Sequence, residues 1–173
     1  ARSNGYIEVM KSAGLFRNEY LLELQLAEYH SITAPETVPP DLSGALGRLM
    51  ALPEPPTAVV VGNDWGAFGL LRACRTCGMR VPEDLSIIST GTVPRVEWLT
   101  AVDSGAEEYS GIIVRMAIDI LNHDSQYRRQ IEFPQKLIEG SSVRNLNESA
   151  ALSHKNVAER FAAAQYEKTV QAH

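Results

Sequence analysis

The stretch PTAVVVGNDWGAFGLLRACRTCGMRVPEDLSIISTGT, residues 56–92, decides the fold of this 173-residue chain. AVVV is a short apolar run between prolines and Gly62, which is typical of a strand buried on both faces of a parallel sheet. DWGAFGLLRACRTC has helical spacing, with Asp64 placed to cap the helix. SIIST follows as a second strand. The unit therefore predicts a right-handed strand–helix–strand crossover, with residues 56–62 and 85–89 paired in parallel.

Helices and extended segments surround this unit. RSNGYIEVMKSAGL predicts an amphipathic helix stopped by Gly14, DLSGALGRLMAL a helix capped by Asp41, and AEEYSGIIVRMAIDILNH a long amphipathic helix. LTAV and RRQIEFPQKLI are predicted to be extended. YLLELQLAEYH is ambiguous, because its alternating leucines favour a strand while its Leu, Glu and Gln content favours a helix, and of the two we predict a strand at residues 22–27. Residues 147–173 form either a loosely docked helical tail or an oligomerisation helix.

Composition narrows the class of protein. At 45% hydrophobic residues and a net charge of -5, the chain is an ordinary globular sequence whose charge disfavours nucleic acid. It contains no apolar run long enough to span a membrane. Cys74 and Cys77 stand at the end of a helical run, the wrong pole for a redox thiolate, so we interpret them as structural thiols that suit a reducing cytoplasm. No nucleophile, nucleotide-binding or metal motif is present, so we expect no enzyme activity, no cofactor and no metal.

Polar residues follow both predicted strands, at the edge where open α/β sheets bind ligands. Asn63 offers donors and an acceptor that suit hydroxyls or an amide. Asp64 either caps the helix or faces a ligand, and Trp65 either stacks on a sugar ring or packs in the core. Arg2 stands near a helix start, against the dipole preference, which suggests a second role as a fork of donors. Thr90 and its neighbours after the second strand supply hydroxyls and backbone groups but no carboxylate.

The motif P-T-A-x-x-x-x-N-D-x-x-A-x-G, followed after a helix by G-x-R-V-P-E-D-x-S, resembles the lactose-repressor/galactose-repressor (LacI/GalR) family of bacterial transcription regulators. RSNGYIEVMKSAGL, LTAV and FPQKLIEGSS are similar to further landmarks of the family, so the resemblance covers roughly residues 2–143. It implies an α/β, parallel-sheet clamshell like a type I periplasmic binding protein, of which this chain is mostly the C-terminal subdomain. It also implies a small-molecule effector, a cytoplasmic location and a DNA-binding helix-turn-helix head that this chain does not contain.

The resemblance implies an effector site at Arg2 and Asn63, with Asp64 beside them. The strand after PEDLS usually ends Gly-aromatic-Asp-Asp in the family, and its first Asp contacts effector hydroxyls, whereas this chain has Gly91 there. The family's arginine near the last strand is also absent, since Gly140 stands in its place. We therefore expect Gly91 to line one cleft with Arg2 and Asn63, with no other carboxylate replacing the missing one, and simple sugars to bind weakly.

The same resemblance implies a division of the chain and a homodimer. Residues 1–104 and 134–146 would form the C-terminal subdomain, residues 105–133 would belong to the N-terminal one, and 147–173 would be a helical extension. The helix packed on that missing subdomain would leave its apolar face uncovered, so we expect this chain to be the C-terminal half of a longer regulator. The dimer would use residues 68–77 and 95–99, with contacts from Phe68, Leu71, Arg72, Arg75 and Trp98.

Two other functions remain open from the sequence. A periplasmic sugar-binding protein that feeds a transporter would share the clamshell, and a signal peptide in place of a helix-turn-helix would distinguish it. An enzyme on a doubly wound fold would need a pocket with two convergent titratable groups, because a fold does not by itself establish a function.

Overall fold

A computed structural model describes residues 2–24, 38–91, 96–122, 131 and 133–145. Its regular elements are, in chain order, α1 (Arg2–Ser12), a short 3-10 helix (Asn18–Tyr20), α2 (Ser43–Met50), β1 (Ala58–Val61), α3 (Asp64–Thr76), β2 (Ser86–Thr90), β3 (Thr100–Asp103), α4 (Ala106–Asn122) and β4 (Lys136–Ile138). The predicted extension at 147–173 and the segment 92–95 lie outside the described residues.

The sheet has the strand order β1-β2-β3-β4. β1 pairs with β2 in parallel, with Ala58 opposite Ser86 and Val61 opposite Ser89, and β3 continues the parallel arrangement on the other side of β2. β4 returns antiparallel to β3. The predicted parallel pair and its crossover helix α3 are confirmed, as is the α/β class of the fold.

β1 is less buried than its apolar sequence predicts. It is the outer strand of the described sheet, and its burial alternates along the strand. Val59 and Val61 pack against the core, whereas Val60 is 50% exposed. The prediction of burial on both faces is therefore wrong, because α3 covers only one side of the strand.

The core lies between the sheet and the two helices α2 and α3. Its most deeply buried side chains belong to α2, α3 and the start of β2: Leu46, Leu70, Ala73, Cys74, Leu85 and Ile87. Cys77, directly after α3, is also buried, and neither cysteine forms a disulfide bond. Burial raises the pKa of the Cys74 thiol to about 12, with a further contribution from Cys77. Both thiols therefore behave as core groups, in agreement with the structural interpretation.

The N-terminal segments agree with the sequence predictions only in part. α1 forms as predicted and ends before Gly14, which has a positive φ of 70°. Residues 21–24 are neither helix nor strand, so the predicted strand is wrong there, and the rest of it lies outside the described residues. Asp41 stands one residue before the N-cap Leu42 of α2, and its Oδ1 accepts the Ser43 N–H at 3.0 Å. The carboxylate thus contacts the helix start without being the cap residue.

α4 carries apolar side chains that no described element covers. Those that are strongly exposed are Ile112, Ile113, Val114, Ile118, Ile120 and Leu121. At its start, Tyr109 stacks on Phe133 with ring centroids 3.6 Å apart and donates a hydrogen bond to the Pro134 carbonyl at 3.0 Å. The first turn of α4 therefore contacts the segment that precedes β4.

Candidate ligand-binding site

Two segments meet at the carboxyl ends of β1 and β2. Because the strands are parallel and Val61 is paired with Ser89, the residues that follow them emerge at the same edge of the sheet. A Cβ atom on Gly91 would lie 3.9 Å from the Asn63 Cα and 3.8 Å from the Asp64 Oδ2. Gly91 and Asn63 are therefore neighbours at this edge, and the cleft that they are expected to share with Arg2 stays a prediction.

Asn63 is the cap of α3, a role that the sequence pattern assigned to Asp64. Its backbone is extended, and its side-chain Oδ1 accepts the Gly66 N–H at 2.7 Å. This contact satisfies one of the N–H groups that every helix leaves unpaired in its first turn. The amide nitrogen of Asn63 has no partner among the described residues, so its two N–H groups are available to a ligand.

Asp64 is the first residue of α3, and its side chain is almost fully buried, at 5% exposure. The hydroxyl of Ser89, which has no exposed surface, donates a hydrogen bond to the Asp64 Oδ1. A negative charge in the first turn also interacts favourably with the helix dipole. The Asp64 carboxylate lies beside Gly91, and the expectation that no carboxylate takes over the ligand contact of the missing one stays a prediction. Ser89 is among the strand-end hydroxyls that the sequence singles out, but its hydrogen bond to Asp64 was not predicted.

The other predicted site residues are placed less fully. Thr90 is half-buried, and its Oγ1 donates to the Val61 carbonyl at 3.3 Å, which ties the ends of β1 and β2 together. Trp65 is half-buried in the first turn of α3. Arg2 is the first residue of α1, and its side chain lies outside what the structure describes. The structure thus brings Asn63, Asp64 and Gly91 together and leaves Arg2 untested.

The described residues contain no group of three or more His, Cys, Asp or Glu side chains that could hold a metal ion. No described helix is long and apolar enough to cross a membrane. At the sheet edge the available chemistry is one buried carboxylate, one amide and a few hydroxyl and backbone groups. Such an arrangement can orient a small polar molecule by hydrogen bonds.

A second feature lies on the outer side of α3. The rings of Phe68 and Trp98 meet edge to face with centroids 6.2 Å apart. Beside them is an open groove of about 450 Å³, lined in part by Leu71, Arg75 and Trp98. Trp98 is half-buried, and Arg75 is exposed. Three of the predicted dimer residues, Leu71, Arg75 and Trp98, therefore line this groove, and Phe68 contacts Trp98.

Residues 1–143 match the periplasmic binding protein-like domain family, so the fold and the site define a ligand-binding domain of this class. The chain belongs to that family, and it matches the effector-binding domain of LacI/GalR regulators.

Among curated proteins it is 28% identical over 159 residues to the HTH-type transcriptional repressor PurR of Glaesserella parasuis serovar 5 (strain SH0165). The match covers 86% of this chain and 44% of that repressor, so the chain spans less than half the length of this relative.

Among solved structures, a LacI family transcriptional regulator from Bifidobacterium animalis subsp. lactis DSM 10140 is 28% identical, with a TM-score of 0.51. That match covers 58% of this chain and 38% of the regulator. The transcription regulator CcpA of Lactococcus lactis matches with a TM-score of 0.65 over 83% of this chain and 50% of its own, at 24% identity. This second likeness supports the fold alone.

Proposed function

We propose that this chain is the effector-sensing and dimerising part of a bacterial transcription regulator of the LacI/GalR type. The proposal rests on the polar cluster of Asn63, Asp64 and Gly91 at the carboxyl edge of the sheet. Ligands bind at this edge in open α/β sheets. The relatives described above are named as transcription regulators, which favours a regulator over a transport protein or an enzyme. A cytoplasmic location follows from this role.

The chemistry of the sheet edge supports a small, hydroxyl-rich effector. The amide N–H groups of Asn63 can donate hydrogen bonds to an effector hydroxyl, and carboxylate oxygens such as those of Asp64 accept hydrogen bonds from hydroxyls, as Asp64 does from Ser89. Trp65, beside them on α3, offers a flat apolar surface on which the C–H face of a sugar ring can stack. A carbohydrate presents both kinds of group, so we propose a carbohydrate-like ligand.

We propose that DNA is bound by a separate helix-turn-helix head and that a second lobe closes over the site. The net charge of -5 supports a separate head, because this surface attracts no phosphate backbone. The exposed apolar residues of α4, Leu121 at 83% among them, support a second lobe packed on that helix. Residues 105–133 would then belong to the second lobe, while 1–104 and 134–146 form the first.

We also propose a homodimer through the outer side of α3 and the segment around Trp98. The groove there has an apolar floor of Leu71 and the aromatic ring of Trp98, with the exposed Arg72 and Arg75 on the same helix. An apolar centre with a charged rim is the usual anatomy of an interface between subunits. A two-fold axis beside α3 would place the same surface of each copy against the other.

The regulator function is tested by DNA binding. The full-length protein would be titrated against a fluorescent DNA fragment from upstream of its own gene, with and without a panel of simple sugars. We expect specific DNA binding whose affinity changes at least about tenfold with one sugar, within the usual range of allosteric coupling. Sugar binding without any DNA binding would contradict a regulator and favour a transport protein.

A further inference from the structure

The chain leaves the sheet after β3 and returns to it at β4 in a single place. Asp103, the last residue of β3, is paired with Lys136, the first residue of β4. Between them lies α4, whose exposed apolar residues support the second lobe proposed above. The exit segment (residues 104–105) and the return segment (residues 133–135) are therefore two connections between the sheet and that lobe.

Tyr109, in the first turn of α4, contacts both of these segments. Its ring stacks on Phe133 with centroids 3.6 Å apart and planes inclined by 22°, and its hydroxyl donates to the Pro134 carbonyl at 3.0 Å. Its backbone N–H donates to the Gly105 carbonyl at 3.0 Å. One residue thus joins the exit segment to the return segment.

Gly105 leaves the space that the Tyr109 ring occupies. A Cβ atom at position 105 would lie 2.5 Å from the Cε2 and 2.6 Å from the Cζ of that ring, closer than real Cβ atoms come. Gly105 has a φ of 68°, in the left-handed region that favours glycine, and its N–H donates to the Asp103 Oδ1 at 2.7 Å. The exit segment is therefore a tight turn whose backbone packs directly against the Tyr109 ring.

We propose that Tyr109 is a clamp that makes the exit and return segments move as one hinge between the sheet and the second lobe. This inference rests on the two-lobe division in the proposed function and adds the residue that controls the movement of the lobes. A hinge consists of a few residues at the ends of elements that absorb changes in φ and ψ. Because a shared side chain joins the two segments, neither can turn without the other, which restricts the orientation of α4 relative to the sheet.

The clamp lies at the edge of the sheet at which the effector is expected. β3 is parallel to β2, as β1 is, so the exit segment leaves β3 at the edge where the polar cluster follows β1 and β2. A ligand that binds the closed arrangement of two lobes better than the open one shifts the protein towards closure. A clamped hinge presents the second lobe in few orientations, so closure costs less conformational entropy.

Pulsed electron spin resonance on the full-length protein without added ligand tests the clamp. Spin labels at Arg48→Cys on α2 and Asp119→Cys on α4, both exposed positions, report the distance between these helices. An excess of unlabelled protein ensures that only distances within one copy are measured. We expect a single narrow distance distribution when Tyr109 is present. Tyr109→Leu should broaden or displace it by roughly 2–5 Å, the size of element shifts in switching proteins.

Three further variants separate the clamp from general stability. Tyr109→Phe keeps the stacked ring and loses only the hydrogen bond to Pro134, so it should broaden the distribution less than Tyr109→Leu. Phe133→Leu removes the stacking partner and should raise amide hydrogen exchange in the unchanged exit segment by roughly twofold to tenfold, the range for losing an aromatic pair. Tyr20→Leu is the matched control, because Tyr20 is also half-buried and donates to a backbone carbonyl, that of Glu54, within the first lobe. It should leave both measurements unchanged.

The inference would be overturned by a wild-type distance distribution in Tyr109→Leu or by the same broadening in Tyr20→Leu. An unchanged exchange rate of the exit segment in Phe133→Leu would also overturn it. Thermal unfolding of each variant is recorded, and if Tyr109→Leu does not fold, Tyr109→Phe and Phe133→Leu decide the result. The proposed function is decided separately, by whether DNA affinity responds to a sugar. A clamped hinge in a protein that binds no DNA would keep this inference and exclude the regulator.

Discussion

Gly140 lies where the backbone after β4 packs closely against the segment that leads into β3. A Cβ atom at this position would lie 2.7 Å from the backbone carbonyl carbons of both Trp98 and Leu99, far inside normal contact. Its N–H also donates to the Thr100 Oγ1 at 3.0 Å. The backbone after β4 can therefore approach the start of β3 only if residue 140 has no side chain. The family's arginine would collide with these two backbone segments at position 140, whether or not it also contacts a ligand.

We predict that Gly140→Ala lowers the free energy of unfolding by roughly 1–3 kcal/mol, because the methyl group forces two backbones apart. Urea denaturation of the full-length protein measures the change. Gly111→Ala is the matched control, since a Cβ there meets nothing within 4 Å on the exposed surface of α4. That variant should be neutral or stabilised by up to about 1 kcal/mol through helix propensity. Equal stability of the two variants would contradict the steric argument.

The thiol of Cys74 should be unreactive in the folded protein. Its pKa is raised from 9.0 to about 12 by burial, so it stays protonated at mildly alkaline pH, and it has no exposed surface. We predict slow alkylation by iodoacetamide in the native state and fast alkylation of both cysteines in concentrated guanidinium chloride, measured by mass spectrometry. Because the folded pKa is the higher one, stability should also fall as the pH rises from about 9 towards 12. Rapid native labelling of Cys74 would show that the core opens readily.

At the scale of the element, α3 depends on its cap. Asn63 accepts the Gly66 N–H, and in the proposed site its amide N–H groups donate to the effector, so one side chain would serve both stability and recognition. We predict that Asn63→Ala costs about 1 kcal/mol of folding free energy, whereas Asn63→Ser, an equally good cap, costs little. Both variants should lose effector affinity in calorimetry, because neither retains the amide donors. Wild-type affinity in Asn63→Ser would restrict Asn63 to its structural role.

The side chain of Ser142, which follows β4, forms hydrogen bonds with both β2 and β3. The hydroxyl of Ser142, which is buried, donates to the Ile87 carbonyl at 2.7 Å and accepts the Thr100 N–H at 2.8 Å. We predict that Ser142→Ala destabilises the protein by roughly 1–3 kcal/mol, because both backbone groups lose a buried partner. Ser141→Ala, at an exposed position next to it, should change stability by less than about 0.5 kcal/mol. Equilibrium urea denaturation compares the pair, and equal effects would contradict the bridging role.

The elements differ in how well the sequence predicts them. α3 and β2 were predictable because apolar spacing, a cap residue and a turn all agree locally. The exposure of β1 was not, since an apolar run of four residues reads the same in a central strand and in an outer one. Asp64 and Asn63 both have side chains that can cap a helix, and only the backbone geometry shows that Asn63 is the cap. The contact between Asp64 and Ser89 joins residues 25 positions apart and depends on strand register, which no local pattern encodes.

At the scale of the whole molecule, the proposed dimer predicts a charge-sensitive surface. Arg75 borders the groove beside Trp98, in the last turn of α3. Arg75→Glu should weaken dimerisation at least about tenfold, because a two-fold axis brings two new glutamates, one from each copy, into the same interface. Arg48→Glu is the control, a last-turn arginine of α2 away from the groove. Sedimentation equilibrium of the full-length protein measures both, and a dimer unaffected by Arg75→Glu would exclude this surface.

The hydrogen bonds of Ser142 also affect the order in which the chain can fold during its synthesis. This residue completes hydrogen bonds to partners that precede it by 55 and 42 positions. During synthesis from the N-terminus, the interior of β2 and the start of β3 therefore emerge well before their last partner does. Such long-range closure slows folding, because the loop must be ordered before its contacts form. The nascent chain can therefore complete this sheet only after residue 142 has been added.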